Sequence, residues 1–148
     1  MNPAQILTMN ILFLCVGNSA RSQIAEGLAK EMFSEKFNIE SAGSEPVGYI
    51  HDGAIKTMIE IGIDISNQSS KSIDSLDEEF LESLDFVITL CAEEICPTLN
   101  NEAVKIHWPN PDPALENISS KQRDKLFRNT RENIFNLLKK ISLENNFY

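Results

Sequence analysis

The sequence is short of positive charge and has no long apolar run. Its 13 lysine and arginine residues stand against 22 aspartate and glutamate residues, which gives a net charge of −9 at pH 7. Nucleic-acid binding needs a basic face, so that class of function is excluded. No apolar stretch reaches the ~20 residues of a membrane span. Residues 1–8 also lack the basic start and long apolar core of a secretory signal. We therefore expect a cytoplasmic protein with no membrane partner.

Cysteine is also scarce. The chain has three cysteines, an odd number, which argues against a structural disulfide framework in a reducing compartment. The three thiols are thus left for catalytic or redox roles. The 148 residues are enough for one domain with a sizeable core. We expect residues 10–148 to form this single domain and to act as a monomer, with residues 1–9 as a short N-terminal extension.

Apolar runs alternate with amphipathic segments along the chain. Strands are predicted at residues 10–14, 37–41, 86–90 and 104–108, of which the first and third are apolar enough to be buried and the last is the weakest. Helices are predicted at residues 21–33, 51–61 and 76–84, and from Ser119 or Ser120 onward. The apolar stripe of the second helix would be Ile55, Met58 and Ile59, and that of the last helix Phe127, Ile134, Leu138 and Ile141. This alternation favours an α/β three-layer sandwich, in which helices cover both faces of a parallel sheet. Ligands bind such sheets at the carboxyl ends of the strands.

The most informative segment, residues 15–22, reads Cys-Val-Gly-Asn-Ser-Ala-Arg-Ser and joins the first strand to the first helix. A helix N-terminus offers free N–H groups and the positive end of the helix dipole, so this loop predicts an oxyanion cradle. Cys15 is the candidate nucleophile, reactive as a thiolate that the Ser22 hydroxyl can support. Arg21 offers a planar fork of donors to a tetrahedral oxyanion. The alternative is a chance pattern around a buried structural cysteine. The N–H groups of the cradle would belong to Val16, Gly17, Asn18, Ser19, Ala20 and Arg21.

Three further candidates follow the later strands. Cys91 and Cys96 come just after the third strand, at the edge where Cys15 is expected. A second thiol can attack a sulfur-bound adduct and a third can resolve the resulting disulfide, although a lone cysteine is often buried and inert. Asp112 lies in a Pro-Asp-Pro sequence after the fourth strand. It can act as a general acid or simply begin a turn, and spacing alone leaves both interpretations open.

The remaining polar candidates carry weaker signals. Glu26 is interpreted as a solvated or capping carboxylate, with support of the Cys15 loop as the alternative. His107 and Trp108 are expected in core and loop packing, His51 at a helix start, and Lys71 on a solvated face.

Five segments together resemble the arsenate reductases of the low-molecular-weight tyrosine phosphatase fold, the type usually coupled to thioredoxin. The matching segments are residues 15–27, 40–43, 62–66, 87–91 and 107–114. The resemblance implies a four-stranded parallel sheet and a role in arsenic resistance and detoxification. It implies Cys15 as nucleophile, Arg21 as oxyanion clamp, Ser22 as thiolate support, Asp112 as proton donor, and Cys91 and Cys96 as the redox-active relay.

The resemblance also bears on cofactors and partners. No cofactor is required, but some members of the family bind potassium. The corresponding positions here are Asn18, Glu26, Ser41 and Asp74. The implied partners are arsenate and an external reductant, either thioredoxin or glutathione with glutaredoxin.

Two departures from the family pattern bear on the reductant and on the phosphatase alternative. The gap between Cys91 and Cys96 is two residues shorter than in the best-known thioredoxin-coupled members, which affects the choice of reductant. Ala114 and Leu115 stand where the phosphatases carry tyrosines, so an aryl phosphate would lack those aromatic walls. The alternatives to arsenate reduction are a phosphatase with a Cys15 phosphocysteine intermediate and a non-enzymatic oxyanion-binding module.

Overall fold

A four-stranded parallel sheet forms the centre of the computed structural model, which describes residues 8–92, 96–99 and 101–148. The strands are β1 (Met9–Cys15), β2 (Phe37–Gly43), β3 (Phe86–Thr89) and β4 (Val104–His107). The helices are α1 (Arg21–Met32), α2 (Asp52–Ile59), α3 (Glu78–Glu82) and α4 (Ser120–Asn145), with a short 3₁₀ helix at Ile73–Ser75. The strand order is β2-β1-β3-β4. The predicted α/β class and the four-stranded parallel sheet are confirmed.

The central strand β1 is buried on both faces, because helices cover the sheet from two sides. Ile11 and Phe13 pack in the larger core with α1, α2 and α4. Leu12 and Leu14 point to the other face and pack in a smaller core with α3 and the segments around it. This alternation follows from the two-residue period of a strand. It explains why the run at residues 11–14 is apolar throughout rather than at every second position.

The parallel register brings the ends of β1 and β3 to one edge of the sheet. Leu14 pairs with Thr89, and the Leu90 N–H donates to the Leu14 carbonyl at 2.9 Å. Cys15 is the last residue of β1, and Cys91 comes two residues after the end of β3. The edge predicted for the chemistry therefore carries both cysteines.

Several predicted boundaries need correction. Met9, expected in the N-terminal extension, belongs to β1 and pairs with Phe37, while residues 1–7 lie outside the described residues. Helix α2 ends at Ile59, whose side chain is 52% exposed. Ile59 was predicted on the core face, but Met58 alone of the predicted stripe is fully buried, and Ile55 only packs against its edge. An eight-residue helix presents a single narrow face to the core, and the predicted apolar stripe was wider than that face.

The last helix agrees with its predicted pattern. Ser119 is its N-cap, and the Gln122 side chain completes a reciprocal capping box. The four predicted apolar residues, Phe127, Ile134, Leu138 and Ile141, are all buried. This helix packs against α1 and α2. Within the described part of the chain, no helix is both long and apolar enough to span a membrane.

Candidate active site

The loop between β1 and α1 turns its carbonyl groups outward. The carbonyls of residues 16–19 all accept hydrogen bonds, at 2.9–3.0 Å, from groups on the outer side of the loop. The four donors, in chain order of the carbonyls, are the Glu45 N–H, the Val47 N–H, the Gln23 side chain and the His51 N–H. No cis peptide bond occurs among the described residues. In a trans peptide the N–H points opposite to the preceding carbonyl. The N–H groups of residues 17–20 therefore face the side away from these partners, as an oxyanion cradle requires.

Asn18 makes this loop shape possible. Its φ of 49° lies in the left-handed region, which asparagine tolerates better than most residues. Its side chain is fully buried, and its Oδ1 accepts from the Lys71 N–H at 2.9 Å. The loop is thus fixed from within by an asparagine side chain.

The Cys15 sulfur lies 2.8 Å from the Ser22 hydroxyl oxygen, and both residues are buried. Ser22 Oγ also accepts a hydrogen bond from Asn18 Nδ2 at 2.7 Å. An amide nitrogen cannot accept a hydrogen bond. Among the described residues the Cys15 sulfur is therefore the acceptor left for the Ser22 hydroxyl hydrogen. This direction places a donor on the sulfur, which stabilises the thiolate form.

A hydrogen-bonded chain continues from Asn18 to Glu26. Asn18 Nδ2 donates to Ser41 Oγ at 3.0 Å, and Ser41 donates to Glu26 Oε1 at 2.6 Å. Glu26 is only 2% exposed. The interpretation of Glu26 as a solvated or capping carboxylate is therefore wrong, and the alternative, support of the Cys15 loop, is correct. A buried carboxylate needs partners, and here it has them.

Lysine side chains compensate the buried charge of Glu26. Lys30 Nζ lies 2.6 Å from Glu26 Oε2, and Lys71 Nζ lies 3.9 Å from Oε1. Lys71, expected on a solvated face, instead lies between Glu26 and Glu40. It was missed because the pairing joins residues 45 positions apart, which spacing along the chain does not indicate.

The proposed potassium ligands converge only in part. Asn18, Ser41 and Glu26 form the hydrogen-bonded chain, but Asp74 is exposed in the 3₁₀ helix. None of the hydrogen bonds or ion pairs found for the described residues joins Asp74 to the other three. The Glu26 oxygens already have Ser41, Lys30 and Lys71 as partners. The potassium site therefore stays a prediction, and no chemistry is assigned to it.

Glycine is required where β2 ends against the Cys15 loop. A Cβ on Gly43 would overlap the carbonyl oxygen of Val16 and lie 3.1 Å from Asn18 Cβ. We expect Gly43→Ala to lower the free energy of unfolding by ~1–3 kcal/mol and to weaken oxyanion binding, because the Val16 carbonyl must shift. Urea unfolding and calorimetric titration with inorganic phosphate measure the two effects.

The matched control is Gly62→Ala. Gly62 has a φ of +81°, and a methyl group added there would meet nothing within 4 Å, so its substitution costs about 1–2 kcal/mol through backbone strain alone. This variant should bind phosphate like the wild type. Equal phosphate affinity in both variants would contradict the assigned role of Gly43.

Arg21 and Asp112 meet the nucleophile at one cavity of about 580 Å³. Arg21 is nearly fully buried, and its Nη1 donates to the Asn110 carbonyl at 2.9 Å. The Asn110 N–H in turn donates to the Leu90 carbonyl at 3.1 Å, which ties the guanidinium to the end of β3. Asp112 lines the same cavity, and its Oδ1 accepts from the Ala114 N–H at 3.0 Å. Asp112 therefore shapes a turn and also faces the nucleophile's cavity, and its role as general acid stays a prediction.

Cys91 and Cys96 form a disulfide, with their Cα atoms 5.6 Å apart, while Cys15 is a free thiol. Cys91 is 1% exposed and Cys96 is half-buried. Residues 93–95 of the intervening segment lie outside the described residues. The two cysteines that were expected to exchange electrons are thus close enough to do so.

Some cavity residues were not predicted from the sequence. Tyr49, which is 61% exposed, and Val47 line the cavity from the loop between β2 and α2. Ala114 and Leu115 line the cavity in place of the phosphatase tyrosines, but Tyr49 brings an aromatic ring to it from a different loop. Arg123 reaches it from the first turn of α4. Their sequence neighbourhoods carry no signal, because only tertiary packing brings these loops to the Cys15 edge.

The two histidines also differ from expectation. His51 is the N-cap of α2, as predicted, but it also lines the cavity. Burial lowers the pKa of His51 below its usual value, and the Arg123 guanidinium lowers it further, against the opposing effects of Asp52 and Asp112. His107 is exposed and hydrogen-bonds to Thr89 at 2.7 Å, so its predicted place in the core is wrong. Trp108 packs against the larger core as predicted.

The donor on the sulfur gives a direct prediction for Ser22→Ala. Removing the hydroxyl destabilises the thiolate, so alkylation of Cys15 by iodoacetamide should shift to higher pH by about one unit. A hydrogen bond to a charged group is worth about 1.5–3 kcal/mol, and one pH unit corresponds to about 1.4 kcal/mol. The exposed Ser75→Ala variant serves as the control and should keep the wild-type profile. An unchanged profile in Ser22→Ala would show that the hydroxyl does not support the thiolate.

Comparisons with known proteins agree with this geometry. A profile of the family described as Low molecular weight phosphotyrosine protein phosphatase matches residues 10–144. A protein of Halalkalibacterium halodurans named arsenate reductase is 41% identical over 126 residues, which are 84% of this chain and 88% of that protein. A solved structure titled "An arsenate reductase in the phosphate binding state" has a TM-score of 0.73 at 30% identity and covers 93% of this chain and 98% of its own. The Corynebacterium glutamicum thioredoxin-dependent arsenate reductase has a TM-score of 0.65 at 28% identity and covers 93% of this chain and 63% of its own.

Proposed function

The chain belongs to the low-molecular-weight phosphotyrosine protein phosphatase family, and on that basis we propose that it reduces arsenate to arsenite. The observation that carries the proposal is the state of the three thiols. The nucleophile Cys15 is free inside the loop, and Cys91 and Cys96 are joined in a disulfide beside the same sheet edge. A phosphatase needs only the first of these features, whereas a reductase uses both.

The first step is attack on arsenic by the Cys15 thiolate. The loop N–H groups and Arg21 hold the oxyanion, and the Ser22 hydroxyl donates to the sulfur. A sulfur–arsenic bond forms and one arsenic–oxygen bond breaks. Asp112 supplies a proton to the departing oxygen, which leaves as water. Arsenic is still in its +5 state in this adduct.

The second step reduces arsenic. The Cys91 thiolate attacks the Cys15 sulfur, and the sulfur–arsenic bond breaks with its electron pair passing to arsenic. Arsenite leaves in the +3 state, and the two electrons come from the two sulfurs that now form a Cys15–Cys91 disulfide. The Cys96 thiolate then attacks Cys91 and releases Cys15 as a thiolate. This exchange would leave a Cys91–Cys96 disulfide, and the presence of that bond in the structure supports the proposal.

A protein dithiol is the proposed external reductant, with thioredoxin preferred over glutathione and glutaredoxin. The Corynebacterium glutamicum neighbour is described as thioredoxin-dependent. In this chain Cys96 is half-buried whereas Cys91 is buried, so Cys96 is the sulfur that a partner thiolate reaches more easily. Attack there releases Cys91 as a thiolate, and the partner's second thiol then frees Cys96. We place this reaction in the cytoplasm, where such dithiols are kept reduced, and assign it to a monomer.

A second candidate function is favoured by one observation. Tyr49 forms an exposed aromatic wall of the cavity, where an aryl phosphate could stack. Cys15 would then take the phosphoryl group, and water would release it with the help of Asp112. In this case Cys91 and Cys96 would not take part in turnover.

An arsenite-release assay separates the two functions. Reduced protein is incubated with arsenate and either thioredoxin with its reductase and NADPH, or glutathione with glutaredoxin. The reductase proposal expects arsenite in many-fold excess over protein in the thioredoxin arm. An aryl phosphate assay without reductant is run in parallel. Sustained phosphate release there, with no arsenite in either arm, would establish the phosphatase alternative.

A further inference from the structure

Arg123 is the second arginine at the cavity of Cys15, besides Arg21. It stands in the first turn of α4 and is partly buried. Its Nε atom is buried and has no hydrogen-bond partner among the described residues. Within the same part of the chain, no carboxylate comes within 4 Å of this guanidinium. A buried donor without an acceptor is unfavourable, so this Nε destabilises the fold.

The other arginines of α4 show what a structural role looks like. Arg128 pairs with Glu60 through both Nε and Nη2. Arg131 also has a buried Nε without a partner, but its Nη1 donates to the Thr57 carbonyl at 2.7 Å and to Glu60 at 3.1 Å. These contacts join α4 to the end of α2. Arg123 makes no comparable side-chain contact among the described residues.

Helix stability does not explain Arg123 either. A cation near a helix N-terminus lies at the positive end of the helix dipole, which is unfavourable. The first turn of α4 contains no acidic residue that would compensate it. Asp112 and Glu116 line the same cavity, but neither forms an ion pair with Arg123 in the described structure. His51 Nδ1 accepts a hydrogen bond from the Gly53 N–H. Burial and the Arg123 guanidinium both lower the pKa of His51, which favours its neutral ring. The guanidinium thus remains available to an anion from solution.

We infer that Arg123 is a second oxyanion-binding guanidinium, which contacts an oxygen of the substrate that projects out of the Cys15 loop. The inference rests on the proposed function for the identity of the substrate, but it applies to any tetrahedral oxyanion in the loop. The net charge of −9 repels an anion at long range, so capture depends on local donors. Arg21 is anchored deep in the site by Asn110, and Arg123 supplies the donor at the cavity wall. We therefore expect Arg123 to affect the affinity for the oxyanion more than the rate of the chemical step.

Direct binding tests this without any need for turnover. Cys15→Ser protein is titrated calorimetrically with arsenate and, separately, with inorganic phosphate. Adding Arg123→Gln should weaken both affinities by roughly tenfold, the loss of one charge-assisted contact. Arg123→Lys should recover part of the loss, because it restores the charge but not the planar fork. The control is Lys125→Gln, which removes the same charge from an exposed position two residues away and should change the affinity less than twofold.

Kinetics with the thiols intact give the second readout. Arg123→Gln should raise KM for arsenate about tenfold with kcat within twofold, and melting temperatures should show that each variant folds. Equal affinities in Arg123→Gln and Lys125→Gln would overturn the inference even if arsenate is reduced. Weakened phosphate binding in Arg123→Gln, in a protein that reduces no arsenate, would uphold it while the proposed function failed.

Discussion

Cys91→Ser should abolish multiple turnover of arsenate while leaving the oxyanion site intact. Without the Cys91 thiol, the Cys15–arsenic adduct has no neighbouring sulfur to displace arsenite. Intramolecular attack benefits from an effective molarity far above any added thiol, so we expect kcat with thioredoxin to fall roughly 100-fold or more. The measurement is arsenite released per chain over time, together with phosphate affinity by calorimetry, which should stay at the wild-type value.

Burial sharpens this prediction for Cys91. The residue is 1% exposed and follows a strand that is hydrogen-bonded to β1, and because serine differs from cysteine by a single atom, the packing around it should be kept. The exposed Ser75→Ala variant controls for nonspecific effects. If Cys91→Ser cycled at close to the wild-type rate with thioredoxin, Cys91 would have no place in the electron transfer.

Arg21→Lys should lower kcat/KM for arsenate by about 10²–10³-fold. Preorganised donors aimed at developing charge contribute this much in comparable sites, and lysine cannot reproduce the planar fork. In this protein one nitrogen of Arg21 is bound to the Asn110 carbonyl at 2.9 Å, which orients the rest of the guanidinium. A lysine ammonium could keep the charge but would not hold that orientation.

The same conservative change at Arg128 is the matched control for Arg21→Lys. Arg128 is exposed and pairs with Glu60, and it is not among the described residues that line the cavity. Arg128→Lys should leave kcat/KM within twofold of the wild type. A loss of less than tenfold in Arg21→Lys would mean that charge alone, and not the fork, holds the oxyanion.

The sequence was sufficient for the sheet and for the loop around Cys15, because both depend on local order. The apolar run of residues 11–14 predicts a strand buried on both faces, and the loop follows it directly. Once the sheet is parallel, the ends of β1 and β3 must meet at one edge. The placement of Cys91 near Cys15 therefore needed no tertiary information beyond the strand order.

Other parts of the site depend on contacts that no local pattern encodes. Glu26 was expected in solvent because a glutamate on a helix normally is, but Ser41, from a strand 15 residues away, meets it in the interior. Tyr49 and Arg123 reach the cavity from loops and helix ends whose positions are set by packing. His107 was assigned to the core from its strand, but the strand β4 lies at the edge of the sheet and leaves it exposed. In each case the tertiary environment outweighed the tendency of the residue type.

Disulfide mapping after a single turnover tests the relay most directly. Fully reduced protein is mixed with excess arsenate and no reductant, quenched by alkylation, and analysed by peptide mass spectrometry. We predict one arsenite per chain, a Cys91–Cys96 disulfide with alkylated Cys15 in the wild type, and a Cys15–Cys91 disulfide in Cys96→Ser. Arsenite release that leaves all three cysteines alkylated, or a Cys96→Ser variant with no Cys15–Cys91 bond, would contradict the account.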